Sequence, residues 1–348
     1  MSAVSGFLSR CGGRGALLAG FAILVPLSWA VSSFCPAGTH VEHIALMAAV
    51  NIIAAVGLNL INGHTGQFSL GHAGFMAAGA YTAAMITLKL GPAAGENVSF
   101  AALHGVFALA LLAGGLVAAL CGFAIGLPSL RLKGDYLAIV TLGAAEIIRV
   151  VVENSDALGR ARGLTGIAPM TDVFWAYGMA LIAVYTVGSL VNSTYGRGFL
   201  AVRDDEIAAG AMGVNTVRCK VTAFVVGAFF AGVSGALFAH LTQAVSPEGF
   251  RLDRSIDIVV MVILGGMGDT AGVVLAAILL TVLPEGLRYV SGIEALPEVV
   301  REMARNRMLF YAALLIALML LRPQGLFGAG KPFRRLAGLF GIQGKDAA

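Results

Sequence analysis

Of the 348 residues, 58% are hydrophobic and only 12% charged, against roughly 45–50% and about 25% in soluble domains; the mean hydropathy is +0.87. That excludes an ordinary water-soluble enzyme or binding module. The formal charge of +4 and the pI near 9.0 come from Lys and Arg flanking apolar runs, which fits retention on the cytoplasmic face and gives no reason to invoke nucleic acid.

Apolar runs of about 20 residues, enough to cross the hydrocarbon core as helix, are predicted at 16–34, 43–61, 68–90, 102–127, 136–152, 173–191, 221–241, 256–283 and 308–321. No stretch between them is long enough for a soluble domain. Residues 1–348 therefore read as one integral membrane domain, an all-α polytopic transmembrane bundle of about 8–10 spans with broken or re-entrant helices. The first run follows Arg10 and Arg14, and Ser28 and Ala30 near its end imitate a cleavage site. The many later spans favour an uncleaved first helix.

Basic residues gather at Arg10 and Arg14, at Arg131 and Lys133, at Arg197, Arg203, Arg218 and Lys220, and at Lys331, Arg334 and Arg335. The positive-inside rule then puts both termini and the loop 195–220 in the cytoplasm, with 322–348 as a basic tail. Two cytoplasmic termini need an even number of crossings, so one of the nine runs must be double or re-entrant.

The first break, Asn62-Gly-His-Thr-Gly-Gln-Phe-Ser-Leu-Gly-His-Ala-Gly74, parts the second and third runs. Irregular backbone at membrane depth survives only where protein or a water-filled cavity satisfies it. Half-helix ends there can hold the charged ends of a zwitterion or a polar solute, so Gln67, Ser69 and His72 are candidates to line a solute path. His64 and His72 have no Asp, Glu or Cys beside them and lack the spacing of a helical metal pair. Hydrogen-bonded structural histidines are expected there rather than a metal or proton-relay site. No catalytic and no metal-ligating residue is assigned.

The four cysteines, Cys11, Cys35, Cys121 and Cys219, are scattered and read as thiols in or near the membrane. Arg131 to Tyr136 is a compact charged turn that reads chiefly as a topology anchor. In the fifth run Glu146 and Arg149 share one helix face. They read equally as a functional intramembrane pair or as a snorkelling pair near a helix end.

After the sixth run, the polar loop from Tyr195 to Asn215 reads as one short helix. Asp204 and Asp205 suit its first turn, at the positive end of the dipole, and Gly213 suits its stop. So short a helix is marginal in water, so something must hold it. Its exposed surface is expected to be Ala208, Ala209, Ala211 and Met212, small residues that let another backbone approach, with charge at one end. That is a docking plug for a cytosolic partner, with Arg203, Asp204, Asp205, Glu206, Ala209 and Gly213 as its coupling residues.

In the seventh run Ala228 and Gly232, Ala231 and Gly235, and Gly235 and Ala239 recur at four-residue spacing. They read as tight helix packing, with a sliding interface beside a pathway as the alternative. The eighth run is interrupted at Leu264-Gly-Gly-Met-Gly-Asp-Thr-Ala-Gly272, which makes it the best candidate for the double or re-entrant run. An apolar run, a glycine-rich break and a small-residue run follow one another at both breaks, a hint of an internal repeat. The scarcity of intramembrane acids argues against a proton- or sodium-coupled carrier. In the tail, Gly325 to Lys331 has the spacing of a phosphate-binding loop, but Pro332 stands where a Ser or Thr belongs and no strand precedes it. The chain is read as holding no cofactor and hydrolysing no nucleotide.

Val56-Gly-Leu-Asn59-Leu with Gly66-Gln-Phe-Ser69-Leu-Gly71-His72-Ala-Gly74 and Gly79-Ala-Tyr81 forms the first of five separated blocks. Leu130-Arg-Leu-Lys-Gly-Asp135-Tyr136, Arg203-Asp204-Asp205-Glu206-Ile-Ala-Ala, Leu264-Gly-Gly-Met-Gly268 and Arg322-Pro-Gln-Gly325-Leu-Phe follow in order. Together they resemble the permease subunits of branched-chain amino-acid ABC importers, the LivM-like kind, over about residues 41–327. In one respect the chain departs from the general ABC permease pattern: Gly213 stands one residue further from Glu206.

The resemblance implies a non-catalytic subunit of the bacterial inner membrane that forms half of a solute pathway. Its implied partners are a related permease, two cytosolic ATPase subunits that use ATP and Mg, and a periplasmic solute-binding protein. Residues 203–215 then resemble the coupling helix that sits in a groove of the ATPase. A urea or short-chain amide permease is the near alternative. A self-sufficient channel or secondary carrier is the alternative of another class, and it leaves the docking loop without a purpose. An intramembrane enzyme resting on His64 and His72 lacks an acid or nucleophile beside them.

Overall fold

The computed structural model describes residues 39–90, 100–129, 135–291 and 316. The expected runs 16–34 and 308–321, Ile316 apart, lie outside the described residues, as do Cys11, Cys35, the turn at 130–134 and the basic tail 322–348.

Helix α1 (His40–Asn59) starts where the Thr39 hydroxyl accepts the Glu42 amide at 3.4 Å, and a single π turn (Leu60–His64) continues it. Its apolar residues point every way, and from Ala48 to His64 all are buried, as expected of a helix surrounded by others. Then come α2 (His72–Leu90), α3 (Phe100–Ser129), α4 (Asp135–Asn154) and α5 (Val173–Val191). The polar loop folds as α6 (Thr194–Asp204) and α7 (Glu206–Ala211), before α8 (Thr216–Thr242), α9 (Leu252–Gly265) and α10 (Thr270–Ser291).

By length and apolar composition, six described helices can cross a membrane: α1 with its π turn, α2, α3, α5, α8 and α10. The fifth run folds as α4 but stands outside this group, because Glu146, Arg149 and Glu153 lie in its second half. The eighth run is broken in two. It resolves into α9 and α10, which pack as a hairpin so close that a Cβ on Gly265 would overlap the Val273 backbone. With 14 residues, α9 is about 21 Å long at 1.5 Å per residue, short of a hydrocarbon core of about 30 Å.

The small residues of α8 make it the centre of the bundle, packed on α1, α2 and α3. A Cβ on Gly79 of α2 would overlap the Gly232 backbone, and one on Gly235 would overlap the Met76 carbonyl. The four-residue repeat in this run is thus close backbone packing on two neighbours.

The end of the bundle where α5 gives way to α8 carries α6 and α7. At the opposite end a two-residue antiparallel pair, β1 (Leu164–Thr165) with β2 (Ala244–Val245), ties the loop after α4 to the end of α8. Nearby, Trp175 donates to His104 Nδ1 at 3.0 Å, and His240 meets the Thr87 hydroxyl at 3.1 Å.

Candidate functional site

The first break is built as a re-entrant loop. At the π turn the helix widens and ends, with the Thr65 hydroxyl donating to the Ile61 carbonyl at 2.7 Å. Residues 66–71 then have no regular secondary structure, with Gly66 at φ +67°, and a helix expected from residue 68 begins only at His72. A Cβ on Gly57 would lie 3.7 Å from the His72 ring, so the chain re-enters the bundle by about 10 Å at 1.5 Å per helical residue. Its amides are satisfied by other helices: Leu70 N–H donates to the Thr141 hydroxyl of α4 at 3.1 Å, and Ala73 N–H to the Ser255 hydroxyl of α9 at 3.0 Å. Within the loop, Asn62 clasps Ser69, accepting its amide at 3.1 Å and donating to its carbonyl at 3.5 Å.

Gln67, Ser69 and His72 are 4%, 0% and 0% exposed, so all three expected pathway residues lie inside the bundle in this conformation. Ser69 is held by the clasp. The expectation of hydrogen-bonded histidines is corrected. Both ring nitrogens of His64 and of His72, both amide atoms of Gln67, and Asn59 Nδ2 lack a hydrogen-bond partner among the described residues. His72 faces the Ala54 backbone, but without a hydrogen bond of ordinary length and angle. Buried polar atoms in folded proteins are nearly always paired, and here every unpaired buried side-chain nitrogen or oxygen among the described residues belongs to the segment from Asn59 to His72. Among the described residues no group of three His, Cys, Asp or Glu is placed to hold a metal ion.

The expected docking loop differs from a single helix. Asp204 closes α6, and Asp205, extended at φ −156° and ψ 111°, breaks the chain and caps α7. Its carboxylate accepts the amides of Ile207 at 2.8 Å and Ala208 at 3.0 Å, which satisfies orphan donors of the first turn. Gly213 does stop the segment, at φ +86°, and a Cβ there would meet nothing within 4 Å among the described residues. The short helix is held from behind. Ala209 is buried, contrary to the expected exposed surface, and Glu206 accepts from the largely buried Lys220 of α8 at 2.6 Å. The face left outward is Ile207, 75% exposed, with Ala208, Gly210, Ala211 and Met212, 85% exposed.

The two breaks meet each other and this loop. Asn59 Oδ1 accepts the Gly268 amide at 2.9 Å, joining the end of α1 to the α9–α10 turn. A Cβ on Gly63 would overlap both Asn59 Oδ1 and the Gly268 amide. Arg203, near the end of α6, donates from Nη1 to the Gly63 carbonyl at 3.4 Å and from Nε to Asp204 at 3.2 Å. His64 is within electrostatic reach of both Arg203 and Asp269.

At the opposite end Arg149 donates to Glu146 at 2.7 Å and to Glu153 at 2.8 Å. This cluster lines a polar cavity of about 460 Å³ with Glu248 and Arg251. Glu146 and Arg149 do share one helix face and pair, as expected. Sequence reasoning passed over Asn51 and Arg254. Asn51 accepts from Arg254 of α9 and donates to Thr281 of α10, each at 2.8 Å. The signal for it was a lone Asn within an apolar run, which must find partners inside the protein.

Residues 40–319 match the family described as the permease component of the branched-chain amino acid transport system. The chain is 34% identical to the high-affinity branched-chain amino acid transport system permease protein LivM of Salmonella typhimurium, over 84% of this chain and 71% of that protein. The probable branched-chain amino acid transport permease protein LivM of Methanocaldococcus jannaschii is 24% identical over 64% of this chain and 68% of that one. The fructose import permease protein FrcC of Rhizobium meliloti is 27% identical over 52% of this chain and 56% of its own length. No solved structure matches the chain.

Proposed function

Because the chain belongs to the branched-chain amino acid transport system permease family, we propose that it forms half of the membrane pathway of an ATP-driven importer for branched-chain amino acids. A related permease supplies the other half, two cytosolic ATPases use ATP and Mg, and a periplasmic binding protein delivers solute. The chain itself performs no chemistry on solute or nucleotide. The outward face of α7 docks the ATPase, which puts α6, α7 and both helix breaks on the cytoplasmic side of a bacterial inner membrane, with both termini inside. Gln67 and His72 border the path in another conformation of the re-entrant loop.

The observation that carries this reading is the capped, solvent-facing α7 in a chain of that family. Its outward Ile207 and Met212 have no use in a free-standing bundle. Membrane vesicles holding the complete transporter, offered labelled leucine, urea or fructose, test it. ATP-dependent leucine uptake that excess valine suppresses is the expected result. Uptake of urea or fructose in place of leucine would overturn the solute, and labelling of a Met212→Cys variant from the periplasmic face would overturn the orientation.

A further inference from the structure

We infer that Arg203 is the positioning residue that carries a displacement of the docking loop into the junction of the two helix breaks. The inference rests on the proposed function, and it adds a route between the ATPase-facing loop and the cytoplasmic end of the pathway.

Three contacts define the route. The guanidinium reaches the Gly63 carbonyl, one of the last carbonyls of the helix end, which lack partners of their own and carry its negative dipole. A Cβ on Gly66 would stand 2.9 Å from Arg203 Cγ and 3.3 Å from its Cα, and one on Gly268 would stand 3.2 Å from Nη1. The arginine therefore lies across both breaks at places where they carry no side chain. Gly63 and Gly268 are pressed together with Asn59 bridging them, so a push on either moves both.

On its other side, Arg203 belongs to a stiff unit. Phe199 and Val202 of α6 are buried against the bundle, and Asp205 next to it caps α7. The ATPase face of α7 and the arginine are separated by a single turn of chain. When nucleotide moves α7, the end of α6 moves with it, and Arg203 shifts the π turn and the α9–α10 turn together. Beside them, His64 and Gln67 hold buried side-chain atoms, unpaired among the described residues, that a rearranged loop would expose.

The test uses the complete transporter in vesicles, comparing Arg203→Ala and Arg203→Met with Arg203→Lys, which keeps a cation and a donor. The Ala and Met variants are expected to assemble with the ATPases and hydrolyse ATP while leucine moved per ATP falls about tenfold, the factor that about 1.4 kcal/mol makes. The Lys variant is expected to stay within about threefold of the parent. A second readout needs no transport: amide exchange at 62–66 and 266–269 should quicken in the Ala variant. Parental leucine per ATP in the Ala variant, a Lys variant no better than Ala, unchanged exchange, or loss of ATPase binding on Arg203→Ala would each overturn the inference. A parental transporter that does not couple leucine to ATP would instead overturn the proposed function.

Discussion

Unpaired buried polar atoms cost about 1–3 kcal/mol each, so the fold gains nothing from Gln67 and His72 as they stand among the described residues. Replacing both by Ala removes that penalty and leaves a cavity of opposing sign. The expected net change in stability is under about 1 kcal/mol, read as the thermal midpoint in detergent, with leucine uptake falling at least several-fold. A large loss of stability with uptake intact would make them ordinary core residues. Asp205 has the opposite character, because its carboxylate accepts two amides at the start of a six-residue helix. Asp205→Ala should cost that helix about 1 kcal/mol, seen as faster amide exchange at 206–211 and weaker ATPase binding. Asp205→Asn, which still caps, should change both far less.

Helix pairs respond at a larger scale, through how near their backbones come. A side chain at Gly79 or Gly235 meets backbone of the facing helix, so Gly79→Leu or Gly235→Leu must part α2 from α8. Overpacking of this kind costs about 1–3 kcal/mol or more, read as a lowered unfolding midpoint. A Cβ on Gly143 of α4 would meet nothing within 4 Å beyond its own helix among the described residues, and Gly143→Ala should be neutral or stabilise by about 0.5–1 kcal/mol. For the docking element, Gly213→Arg places a long side chain at φ +86°, a strain of about 1–2 kcal/mol, and a bulky cation beside the outward face. The variant should insert normally but bind the ATPases poorly or take up solute uncoupled from hydrolysis, while normal uptake would remove α7 from the coupling route.

Across the whole molecule, the runs that fall on described residues were legible because each carries a long apolar stretch. Both breaks were legible because clustered glycine and polar residues, as from Asn62 to Gly74, cannot continue a membrane helix. The late start of α2 was not legible, since the amides of Leu70 and Ala73 are satisfied by Thr141 and Ser255, which are distant in sequence. The split between α6 and α7 was hidden for a local reason, in that Asp205 fits a first turn and an N-cap equally well. Burial of Ala209 and the meeting of Gly63, Gly268 and Arg203 depend on tertiary packing that no periodicity announces. Under the proposed function these parts make a passive half-gate moved by a separate nucleotide-using subunit. To swing it from 1:99 to 99:1, nucleotide must favour one facing by about 5.5 kcal/mol. The most direct measurement is leucine uptake into proteoliposomes by the complete transporter and by the same membrane subunits without the ATPases. Uptake is expected only with the ATPases and hydrolysable ATP present; accumulation by the membrane subunits alone would contradict it.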